Sequence, residues 1–79
     1  MTYVYILQCI AEPDRFYTGF SDDLRIRLKD HNSGKVTRTA KFKPWRLNTY
    51  IAFSDRERAI AFEKYLKSHS GRAFATKRL

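Results

Sequence analysis

The feature that most constrains this chain is its opening stretch. Residues 2–9 read Thr-Tyr-Val-Tyr-Ile-Leu-Gln-Cys, β-branched and aromatic with no polar/apolar alternation. Such a run is a strand, and one apolar on both faces implies burial on each side. Ala11-Glu12-Pro13-Asp14 is a turn in which proline presets one φ angle, and Arg15 to Phe20 is a second strand. The two pair as an antiparallel hairpin. Everything that follows must cover that hairpin.

Ser21 caps a first helix, with Asp22 and Asp23 in its first turn, where negative charge suits the helix dipole. The helix runs to about His31 and ends at Asn32-Ser33-Gly34. Residues 35–44 form a basic loop closed by Pro44, and Trp45 to Phe53 is a third strand. Ser54-Asp55-Arg56-Glu57 reads as a capping box that starts a second helix, running to about Ser68. Ser70-Gly71 breaks it, and Arg72 to Arg78 forms a short terminal helix. The order β-β-α-β-α-(α) is that of a small α+β domain, helices packed on a three-stranded sheet. With 79 residues and no repeat or linker, the reading is one domain over 1–79.

No staple helps this core. Cys9 is the single cysteine, so no internal disulfide forms, and there is no Cys/His cluster for zinc. A lone thiol in an apolar run reads as a small buried hydrophobe in a reducing compartment. The longest apolar run, Val4 to Leu7, falls far short of the roughly 20 residues of a membrane span. Nothing at the start resembles a signal peptide, so the expected location is the cytoplasm, without membrane contact.

Charge points to the partner. Sixteen Lys/Arg against eight Asp/Glu give +8. Between Leu24 and Arg46 lie eight bases and one acid, Asp30, so that stretch carries +7 of the excess. A concentrated basic field attracts polyphosphate. Lys35, Arg38, Lys41, Lys43 and Arg46 are the candidate phosphate contacts, and Phe42 and Trp45 the candidate stacking surfaces.

Several polar residues stand against the helical pattern. At 100° per residue, Leu24, Arg27, Leu28 and His31 share one face of the first helix, so an Arg–His pair lies in the packing stripe. In the second helix Glu63 borders the stripe of Ala59, Phe62 and Leu66. A buried carboxylate needs a cation: Arg27, a lysine or a metal ion. Tyr5 and Tyr17 lie on neighbouring strands, on one face in some registers. Gly19, at the end of the second strand, permits a close approach or a bend.

These residues resemble the GIY-YIG nuclease family. Tyr3-Val4-Tyr5 stands where that family has Gly-Ile-Tyr, and Tyr17-Thr18-Gly19 where it has Tyr-Ile-Gly. Arg27 follows ten positions after Tyr17, His31 one turn later, and Glu63 lies where the family has its metal-binding glutamate. The resemblance spans nearly the whole chain and is closest in texture to small stand-alone bacterial members. Tyr3 replaces the first glycine, Thr18 replaces a branched apolar residue, and the asparagine of many members has no match in Ser68-His69-Ser70-Gly71.

The resemblance implies a metal-dependent endonuclease acting on nucleic acid, DNA ahead of RNA, with structure-selective or weak specificity. It implies Glu63 as the protein ligand of a single Mg²⁺ or Mn²⁺, Arg27 on a phosphate oxygen, and Tyr5 as proton acceptor, with His31 as the alternative base. Tyr17 and His31 would orient the water. A partner protein would supply specificity. The alternatives are a basic nucleic-acid-binding module without turnover, and a structural role in which these residues form an ion-paired core.

Overall fold

The computed structural model describes residues 1–79. The elements are β1 (Thr2–Cys9), β2 (Phe16–Ser21), α1 (Leu24–Asn32), α2 (Thr37–Ala40), β3 (Trp45–Phe53), α3 (Arg56–Lys67) and α4 (His69–Arg78). The sheet order is β2-β1-β3, antiparallel throughout. The fold is α+β, with the sequence-predicted strands in place.

β1 is central and buried on both sides, as its unalternating sequence requires. Val4 and Ile6 face α3, in a cluster with Ala59 and Leu66 against which Phe20, Phe53, Phe62 and Phe74 pack. Tyr5, Leu7 and Cys9 face the other way, in a cluster with Trp45 that Leu24, Leu28 and Phe42 cover. Each aliphatic side chain so buried contributes about 1.5–3 kcal/mol, and with no disulfide available this packing is what opposes the chain's conformational entropy.

β3 serves both layers through one irregularity. Thr49 pairs with Ile6 and Leu47 with Leu7, so Asn48 is left over as a bulge. The odd-numbered residues of β3 point inward along its whole length. Before the bulge, Trp45 and Leu47 join the Leu7–Cys9 face; after it, Ile51 and Phe53 join the Val4–Ile6 face.

Four local expectations are corrected. The cap of α1 is Asp23, whose carboxylate accepts from Ile26 N; Ser21 is the last residue of β2, and no acid lies in the first turn of α1. The cap of α3 is Asp55, accepting from Glu57 N, so the Ser54 capping box does not form. In each case Ser and Asp compete for one position and the carboxylate wins. The basic stretch 35–44 contains α2. Finally, the chain breaks at Ser68, whose hydroxyl donates to Tyr65 O and accepts from Gly71 N, and α4 runs straight through Gly71. A Cβ on Gly71 would lie 1.7 Å from Tyr65 O, so glycine there is what lets α4 start hard against α3. The α1 terminus is as expected, closed by Gly34 at φ +84°.

Candidate functional site

The site begins with a strand register. β1 and β2 pair with Tyr5 opposite Gly19 and Leu7 opposite Tyr17, which puts both tyrosines on the face toward α1. The Tyr5 ring lies across the space a side chain on Gly19 would fill: a Cβ there would stand 2.6 Å from the Tyr5 hydroxyl oxygen. Gly19 has no positive φ, so the requirement is for space.

The Tyr5 hydroxyl is 2.8 Å from His31 Nε2 and accepts from Arg27 Nε at 3.4 Å. His31, with no exposed surface, is 2.7 Å through Nδ1 from Thr39 Oγ1, and the Thr39 hydroxyl donates to Val36 O at 3.3 Å. With that hydroxyl hydrogen committed, the network assigns N–H to Nδ1 and leaves Nε2 to accept from Tyr5. The chain of donors runs from Tyr5 through His31 and Thr39 to the backbone. Trp45 Nε1 donates to Thr39 O at 3.0 Å, and Asn32 grips the Trp45 backbone with both amide atoms. Thus α2, a four-residue turn, is held by His31 and by Trp45, which Asn32 anchors in turn.

The electrostatics follow from burial. Removal from water holds the His31 imidazole down at about 4, with Arg27 adding to the effect, so it is neutral at pH 7. Burial also raises the Tyr5 phenol above its usual value. Arg27 pulls it back in part, while Tyr17 and Glu63 push it further up. The pull of Arg27 on Tyr5 is thus outweighed by burial. Arg27 is itself held more firmly charged by the Tyr5 oxygen. It makes no ion pair with any carboxylate.

Glu63 is 6% exposed, an almost buried carboxylate on the inner face of α3. Its cation is a lysine. Lys67, one turn on, places Nζ 2.7 Å from Glu63 Oε2 and 5.9 Å from the centre of the Tyr17 ring. The Arg27–Glu63 pair does not form. No group of three or more His, Cys, Asp or Glu side chains gathers into a multidentate protein site. A lone, nearly buried carboxylate with no soft donor fits a hard ion that keeps most of its shell as water or phosphate, once Lys67 moves aside.

The five predicted residues thus stand together, with Tyr5 and His31 as buried floor and Tyr17 and Arg27 part-exposed above them. Of the predicted phosphate contacts, Arg38 alone lines the groove beside Tyr17 and Lys67. Lys35 pairs with Asp30 at 3.8 Å, Arg46 donates to Gln8 Oε1, and Lys41 and Lys43 lie elsewhere on the surface. Trp45 is buried and Phe42 lies under the Arg15 guanidinium at 3.7 Å, so neither offers a free stacking face. Sequence reasoning missed Thr39, Asn32 and Lys67. Only Lys67 left a signal, as a base four residues after Glu63 on the same helix.

Comparison with known proteins finds relatives that span most of the chain. The profile of the GIY-YIG catalytic domain matches residues 1–78. A UPF0213 protein of Lacticaseibacillus paracasei is 39% identical over 66 residues, covering 82% of this chain and 72% of that one. A UPF0213 protein of Streptococcus pyogenes serotype M3 is 33% identical over 72 residues, covering 90% and 76%. The solution NMR structure of a UPF0213 protein from Bacillus halodurans superposes with a TM-score of 0.56 at 34% identity, covering 98% of this chain and 84% of that one. No helix here is long and apolar enough to cross a membrane.

Proposed function

The chain belongs to the GIY-YIG family, and from that premise we propose that it hydrolyses phosphodiester bonds in nucleic acid, DNA ahead of RNA, with one divalent ion. The observation that carries the reading is the directed line Arg27–Tyr5–His31–Thr39 lying under Tyr17, with Glu63 joined to the Tyr17 ring through Lys67.

Hydrolysis needs a deprotonated water, charge stabilisation at phosphorus and an assisted leaving oxygen. The Tyr5 oxygen takes the water's proton as its own hydroxyl proton passes to His31 Nε2, 2.8 Å away. His31 has that lone pair free because burial keeps it neutral. Burial opposes both the phenolate and the imidazolium; the concerted handover avoids the first, and an anionic phosphate at Arg27 offsets the second. Arg27 holds the Tyr5 oxygen through Nε and has its remaining guanidinium nitrogens for a phosphate oxygen. Tyr17, part-exposed above His31, orients the water. Mg²⁺ or Mn²⁺, when bound through Glu63, supplies Lewis-acid charge neutralisation at the leaving oxygen.

A second reading, nucleic-acid binding without turnover, draws on one observation: the Glu63 carboxylate already has Lys67 as its cation. Single-turnover cleavage of a panel of labelled DNA and RNA substrates with Mg²⁺ or Mn²⁺ separates the two. Wild type is expected to cut. Glu63→Ala and Tyr5→Phe are expected to lose about a hundredfold or more, and Glu63→Ala to bind nucleic acid equally or more tightly. Salt-sensitive binding with no cleavage by wild type would transfer the assignment to the binding module. Unfolding of Glu63→Ala would make Glu63 a structural residue.

A further inference from the structure

A groove of about 760 Å³ runs along the β2 edge, bounded by β2, α2 and α4. Its apolar floor includes Ile6, Phe16 and Leu66, and Phe16 is 52% exposed. Arg38, Lys67 and Arg72 stand around it against one acid, Asp14. Neither arginine makes an ion pair, so both guanidinium groups are free for an anion. Tyr17 and Lys67 line the groove and also stand at the candidate site, so whatever occupies one adjoins the other.

An apolar floor with an exposed aromatic ring, rimmed by three cations, fits a ligand that combines a flat apolar face with repeated negative charge. The volume falls in the range of small-molecule pockets and takes a nucleotide. In a duplex the base faces are stacked away, whereas a single strand presents them. We propose that this groove is a subsite for an unpaired nucleotide, its base against Phe16 and the apolar floor and its phosphates on Arg38, Lys67 and Arg72. The inference rests on the phosphodiesterase reading and deepens it, naming unpaired strand beside the scissile bond as the feature recognised. A phosphate on the rim also draws Lys67 from Glu63, which leaves the carboxylate open.

Equilibrium anisotropy without divalent ions tests the subsite apart from chemistry. The probes are a fluorescein-labelled oligothymidylate of roughly 12 nucleotides, within the span of a small single-strand site, and a blunt duplex of equal length. Phe16→Ala and Arg72→Ala, both at exposed positions, are expected to weaken oligothymidylate binding about tenfold and duplex binding less than about twofold. Lys64→Ala removes a like charge from an exposed position outside the groove and is expected to weaken both probes equally and slightly. If Arg72→Ala merely matches Lys64→Ala on both probes, or Phe16→Ala is silent, the groove is no subsite, and metal-dependent cleavage would leave the site reading standing alone. If single-strand binding responds as expected but nothing is cut, the subsite stands and the phosphodiesterase reading falls.

Discussion

Lys67 Nζ stands 2.7 Å from Glu63 Oε2, where an almost buried carboxylate needs a cation. Lys67 is itself 45% exposed, so the pair is held from one side only. The ammonium is a replaceable counter-ion, and divalent metal must compete with it.

Lys67→Met keeps the side-chain stem and removes the charge. It is expected to lower stability by about 1–2 kcal/mol in EDTA, since Glu63 loses its partner while solvent limits the value of the pair. Mn²⁺ binding by calorimetry is expected to tighten about tenfold, and Mn²⁺ to restore the thermal midpoint. Unchanged or weaker Mn²⁺ affinity would show that Lys67 does not guard the carboxylate.

Gly19→Ala would set a methyl 2.6 Å from the Tyr5 oxygen and 2.8 Å from Tyr5 Cζ, so the ring must move off His31. A loss of about 1–3 kcal/mol is expected on urea denaturation, typical of overpacking. Combined with Tyr5→Phe, which removes the nearest colliding atom, the cost is expected to be less than additive. Full additivity would mean that Tyr5 does not occupy the glycine's space.

His31 gives the protein an acid-sensitive window. Its folded value of about 4 lies below the ordinary 6.5. As pH drops below 6.5 the unfolded chain takes up a proton that the folded chain refuses, so stability falls with pH and stops falling on this account below about 4. Urea midpoints across that window are expected to drop more steeply for wild type than for His31→Gln. Equal slopes would place the imidazole in water.

The sequence was legible wherever periodicity carried the information. The inward positions of Arg27 and His31 on α1 and of Glu63 on α3 follow from 3.6-residue spacing, and the double burial of β1 follows from its lack of alternation. α2 was not legible, because four residues complete barely one turn and show no period. Thr39 therefore read as loop, although its hydroxyl is fully buried under His31. The partner of Glu63 was not legible either. Arg27, a lysine and a metal ion all met the need for a cation, and the choice depended on where the Arg27 side chain went. It went to Tyr5.

Tyr5 packs in the same cluster as Leu7, Cys9 and Trp45, so the floor of the site and half of the core are one set of atoms. No inert layer lies behind the floor that could be retuned without loosening the fold. A substitution in the floor therefore acts on stability and on the site together, whereas one at the exposed rim, at Arg38 or Arg72, leaves the core packing as it is.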